Sequence, residues 1–98
     1  MISCFKTILG EDLIGDVEIH DDTVDIDSPL MIMIVPTEKG QYSVGLAPYM
    51  VFAASRKFTF KKEHIMFFYE AADEIKADYT RITGKGIIVP NTKIQLVP

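Results

Sequence analysis

From Leu13 onward apolar and polar residues take turns. Leu13, Gly15, Val17 and Ile19 fall on one side of an extended chain and Ile14, Asp16, Glu18 and His20 on the other, the period of a strand with one mainly apolar face. Gly15 offers that strand no side chain to pack, so it marks a bend or a bulge, as at the corner of a small barrel. Asp21-Asp22 supplies a tight turn, and Val24 and Ile26 then alternate with Asp25 and Asp27 on a second strand. Leu30 to Val35 is an unbroken aliphatic run fenced by Pro29 and Pro36, which predicts a strand covered on both sides, by a barrel interior or by a neighbouring subunit. Past a turn at Thr37 to Gln41, the segment Tyr42 to Ala54 carries no charge and includes Pro48, a residue for a sheet edge or bulge. Lys57-Phe58-Thr59-Phe60-Lys61 alternates with both phenylalanines inward, and Ile65 to Tyr69 forms an aromatic-rich strand after Lys62-Glu63-His64.

At Ala71 the period changes. Ala72, Ile75, Tyr79 and Ile82 share a helical face, Asp73 and Glu74 suit the positive N-terminus, Arg81 suits the C-terminus and Gly84 is a stop. This predicts an amphipathic helix over about 71–83, whose expected role is to plug the open end of a barrel. The tail, 86–98, holds two β-prone stretches, Ile87 to Val89 and Ile94 to Val97, expected to form a hairpin or an arm on a neighbour. Residues 1–98 then make one domain, with the β part at about 2–70 and the helix and tail at 71–98.

Composition narrows the class. Apolar residues at 48% against 24% charged exclude disorder as the main state. A run of six aliphatic residues cannot cross a bilayer that needs about 20, and the N-terminus lacks the basic start and apolar stretch of a secretory signal. Cys4 is the single cysteine, so an internal disulfide and a cysteine-built zinc site are excluded. The expectation is a cytoplasmic protein without membrane contact.

Charge is distributed unevenly. The net charge of −4 divides into −7 over residues 1–55 and +3 over 56–98, with every charged residue from Glu11 to Asp27 acidic and Arg56, Lys57, Lys61 and Lys62 clustered. Copies with acidic and basic regions on different faces attract head to tail, and such contacts close into rings when the rotation permits. Phe58, Phe60, Phe67, Phe68 and Tyr69 are also more aromatic surface than one small barrel hides, which again points to pairing of strand edges between subunits.

Candidate chemistry is sparse. The acidic series Asp21, Asp22, Asp25, Asp27 lacks the glycine and closing glutamate of a calcium loop, and the outward direction of Asp25 and Asp27 is explained by solubility, so no metal and no cofactor is expected. Neither a glycine-flanked nucleophile nor a phosphate-cradling glycine loop is present, which argues against an enzyme. His20 and His64 both sit at turns. If those turns open on one rim, His20, Lys61, Lys62 and His64 together supply the cations and stacking rings that single-stranded RNA requires.

The glycine-bent strand Asp12-Leu13-Ile14-Gly15-Asp16-Val17-Glu18-Ile19, the acidic turn at Asp21-Asp22 and the strand pair meeting at Lys61-Lys62-Glu63-His64-Ile65 resemble the Sm-like (LSm) family. The stretch from Lys6-Thr7-Ile8-Leu9-Gly10 through Val17 is most similar to small Sm-like proteins of marine cyanophages, and the resemblance spans roughly residues 5–70. It implies a small, strongly bent, five-stranded antiparallel barrel whose fourth and fifth strands pair with neighbours in a homo-oligomeric ring of about five to seven copies. It further implies single-stranded RNA at the inner rim, with Asp21, Asp22 and Thr23 on one loop and Lys61, Lys62, Glu63 and His64 on the other, in the cytoplasm of a phage host. Three features depart from the family. The asparagine of its first motif has no counterpart, since Asn91 in the tail is the chain's only asparagine, and Glu63 follows Lys61-Lys62 where the family has Arg-Gly or Lys-His. The family's N-terminal helix is replaced by a strand-like Met1 to Leu9. These departures leave a structural or protein-binding ring, with phage or host proteins as partners, as the alternative expectation.

Overall fold

The computed structural model describes residues 1–85; the expected hairpin or arm at 86–98 lies outside the described residues. Among the described residues six strands and one α-helix after them build the fold: β1 (Ile2–Thr7), β2 (Asp12–Ile19), β3 (Thr23–Pro36), β4 (Tyr42–Pro48), β5 (Lys57–Lys61), β6 (Ile65–Tyr69) and α1 (Asp73–Thr83). All pairings are antiparallel. The strand order is β4-β3-β2-β1-β6, and β5 pairs with the first half of β3. The fold class is therefore mainly β, as the alternation predicts, but the count and the closure differ from expectation. Where five strands are expected there are six, because Pro48 and the turn that follows interrupt pairing along β3 between β4 and β5. The sheet stays open rather than closing into a barrel: among the described residues nothing pairs with the outer edges of β4 and β6.

β3 changes partner at a bend. Thr23 to Asp27 pair with β5, Leu30 to Pro36 pair with β4, and between them Ser28 takes a left-handed backbone conformation with φ 55°. Its N–H donates to the Arg56 carbonyl at 2.7 Å, which fixes the bend against the start of β5. Across from it, the β2 register shifts between Ile14 and Asp16, so Gly15 marks an irregularity as its place in the sequence suggests.

Two apolar clusters lie on the two sides of the sheet. Phe5, Leu13, Val17, Val24 and Ile26 form one, packed by Phe58 and Phe60, and Phe5 meets Phe60 edge to face at 5.2 Å. Cys4, Ile14, Leu30, Ala71 and Tyr79 form the other. Because neighbouring strand residues point to opposite faces, α1 covers the face opposite Phe5 and Leu13 and plugs no barrel end. That also explains why Ile14, assigned by alternation to the polar face, is buried. The helix starts two residues later than predicted and ends where predicted, at Gly84, whose φ of 78° and N–H bond to the Thr80 carbonyl at 2.8 Å close it. Among the described residues no helix is long and apolar enough to cross a membrane.

Among the described residues the aliphatic run of β3 is covered only at its start. Leu30 is buried, whereas Met33, Ile34 and Val35 are exposed, and so are Tyr42 and Val44 on β4 and Met66, Phe67 and Phe68 on β6. Exposed apolar residues thus sit on β4 and β6, each unpaired on its outer side among the described residues.

Burial also sets a pH response. It pushes the Cys4 thiol up to about 11 and the Tyr79 hydroxyl up to about 12, and it raises Tyr69 further, helped by the Asp12 carboxylate that accepts the Tyr69 hydroxyl at 2.7 Å. Each group holds its proton longer in the folded chain than in the unfolded one. The stability this carries is complete below pH 9 and is lost as pH rises, first through Cys4 and then through the tyrosines. Urea midpoints are expected to fall steadily from pH 9 to 11, and Cys4→Ala should flatten the first part of that fall; a midpoint constant to pH 11 would contradict it.

Candidate functional site

The turn after β2 and the turn after β5 meet at one rim. The His20 N–H donates to the Thr23 carbonyl at 2.9 Å, closing the acidic turn, and the Lys62 N–H donates to the Asp22 carbonyl at 2.9 Å, laying the second turn on the first. Cross-strand pairing of Thr23 with Lys61 sets their relative height. Asp21, Asp22, Thr23, Lys61, Lys62 and Glu63 line the resulting open depression of about 430 Å³. Lys61 and Lys62 are exposed, and among the described residues neither is ion-paired. Two ammonium groups here can meet phosphate oxygens, against the field of three carboxylates on the same rim.

Of the four cationic candidates, the structure brings only these two lysines together. His64 closes a single-turn 3-10 helix, Lys62–His64, and lies on the other side of it, lining an apolar pocket of about 250 Å³ with Ile8, Leu9, Tyr49 and Phe60. The Ile8 N–H donates to the His64 carbonyl at 2.9 Å and holds that side to the β1–β2 loop. His20 turns along the sheet, with Nε2 3.1 Å from Asp25 Oδ2 and 3.9 Å from Glu18 Oε1. The Thr59 hydroxyl donates to the other Asp25 oxygen at 2.7 Å, and together with His20 it holds the Asp25 carboxyl below its ordinary range. Alternation already puts Glu18 on the same strand face as His20, whereas Asp25 beside His20, and Thr59 behind Asp25, are brought there by strand register and are not found by spacing alone.

Cys4, the chain's only thiol, is fully buried, and its raised pKa is the reverse of what activates a nucleophile. Lys6 and Asp12 pair at 3.0 Å beside Tyr69, a structural network within the sheet. A scan against protein-family models gives no match, and neither does a search of the curated proteins.

Proposed function

We propose that the chain is a non-enzymatic, ring-forming protein of Sm-like type that holds single-stranded RNA at the rim carrying Lys61 and Lys62. One observation supports assembly above the rest: among the described residues the sheet is open, with β6 unpaired on the outer side at one end and β4, together with β5, at the other, and both β4 and β6 bear exposed apolar side chains. Joining the β4 edge of one copy to the β6 edge of the next is a heterologous contact, which repeats and, on closure, pairs the β4 and β6 edges of every copy. In this reading β4 and β5, both antiparallel to β3, are the halves of one interrupted strand, so the six strands correspond to the five of a small bent barrel. The ring holds about five to seven copies, as the resemblance implies, and its place is the cytoplasm, that of the host if the chain is of phage origin. His64 and His20 flank the rim as secondary contacts.

The three carboxylates around the two lysines favour a second reading, a structural ring that binds a phage or host protein and no RNA. Size-exclusion chromatography with light scattering, with short oligo-U and oligo-A at low and moderate salt, separates the two. The expected result is a multiple of the chain mass with co-eluting RNA that is released as salt rises and lost in the Lys61→Ala, Lys62→Ala double variant. A ring that ignores RNA at every salt selects the second reading. Val44→Lys with Phe67→Lys charges both edges and should bring the mass down to one chain; a wild-type monomer at micromolar concentration would refute the assembly.

A further inference from the structure

Two pairs of carboxylates face each other across β2 and β3: Asp16 opposite Asp27, and Glu18 opposite Asp25. Like charges directly opposite in an antiparallel ladder repel, so each pair calls for a cation. The first has them, with the Met1 amino group 2.5 Å from Asp16 and Lys85 Nζ 3.1 Å from Asp27. At the second, both carboxylates turn toward the imidazole of His20, and the three donor atoms lie within 4.8 Å of one another. A zinc ion with ligand bonds of about 2.0–2.1 Å in tetrahedral geometry separates its ligand atoms by roughly 3.4 Å. The observed His20 separations, 3.1 Å to Asp25 and 3.9 Å to Glu18, bracket that distance. Asp25 is aimed by Thr59, whose hydroxyl occupies the far carboxylate oxygen, the kind of outer hydrogen bond that orients metal ligands. Beside the three lies an open depression of about 300 Å³ whose walls also carry Lys57 and, balanced by the Met1 amino group and Lys85, Asp16 and Asp27, so Glu18 and Asp25 are the carboxylates there left without a lysine, arginine or amino-terminal partner among the described residues.

We propose that Glu18, His20 and Asp25 form a solvent-facing site for one divalent transition-metal ion. An imidazole with two carboxylates suits Zn²⁺ or Mn²⁺ better than calcium, and three protein donors leave a coordination position for water or a further ligand. The site spans two strands, so it is distinct from a loop motif and is invisible to linear spacing. It does not depend on ring assembly or on RNA.

Calorimetric titration of the full chain with zinc chloride, repeated with magnesium chloride, tests it. The expected result is one Zn²⁺ per chain, with His20 ring signals shifted in the NMR spectrum and Mg²⁺ at least about tenfold weaker. His20→Ala and Glu18→Gln should each weaken Zn²⁺ by about tenfold or more, while Glu38→Gln, which removes as much negative charge elsewhere as Glu18→Gln does, should leave it unchanged. Glu18 and His20 are exposed, so both variants are expected to fold, as circular dichroism verifies. Absence of saturable Zn²⁺ binding, binding indifferent to His20→Ala, or equal affinity for Mg²⁺ would each overturn the site.

Discussion

Gly15→Ala is expected to destabilise the fold by about 2–3 kcal/mol, the upper part of the range for forcing an extra carbon into a packed core. For a domain of this size that lowers the melting midpoint by roughly 10–20 °C. A Cβ on Gly15 would stand 2.4 Å from Ile26 Cγ1, 2.7 Å from its Cδ1 and 3.1 Å from the Asp27 carbonyl oxygen. Ile26 is fully buried among Phe5, Leu13, Val17 and Val24, so its side chain has no space to withdraw into. The carbonyl belongs to the β3 backbone just before the bend at Ser28 and yields no more easily. A double-mutant cycle isolates the cause: with Ile26→Ala the clash partner is gone, so the pair should cost less than the two single changes added together. Thermal and urea denaturation measure both, and a Gly15→Ala variant as stable as the parent would mean that the close approach relaxes without cost.

The legible part of this fold is the part that depends on near neighbours in sequence. Alternation at Val24, Ile26, Phe58 and Phe60 locates strands and their inner faces, and the helical period with Gly84 locates α1 and its stop. The rim that joins Asp21 and Asp22 to Lys61 and Lys62 is expected from the family resemblance alone, since periodicity says where each turn lies but not that β5 pairs with the start of β3 and brings the two together. Contacts decided by distant parts of the chain are not legible. Ile14 reads as outward because nothing in its own strand says that Tyr79 and Ala71, far along the chain, cover that face. The direction of His20 depends on Glu18 lying opposite Asp25, and that register is reached only after a shift between Ile14 and Asp16. A slip of one residue would turn every side chain beyond it to the other face, which periodicity cannot detect. Ser28 is likewise not a residue that advertises a positive φ, so the switch of β3 from β5 to β4 escapes a reading of strands as uniform segments.

Tyr79→Ala is expected to cost about 3–5 kcal/mol, the range for removing a large buried aromatic ring, which is most of the stability of a marginal domain. The side chain is fully buried against Cys4, Ile14 and Leu30, and its hydroxyl donates to the carbonyls of Ser28 at 2.9 Å and Asp27 at 3.2 Å. Tyr79 therefore does two things: it seats α1 on the sheet, and it ties the helix to the two residues at which β3 bends. Tyr79→Phe separates them, since the ring stays and only the hydroxyl is lost, leaving two part-buried carbonyls short of a donor at a cost of about 1 kcal/mol. The consequence reaches the proposed assembly. β4 is carried entirely by the half of β3 beyond the bend, so a looser bend lets the β4 edge swing relative to β6 at the other end of the sheet. Tyr79→Phe should accordingly stay folded, show faster hydrogen exchange in β4 and in β3 beyond Leu30, and self-associate more weakly than the parent. If Tyr79→Phe exchanges and associates like the parent while Tyr79→Ala unfolds, the ring of Tyr79 matters for packing alone and the helix does not set the angle of the β4 edge.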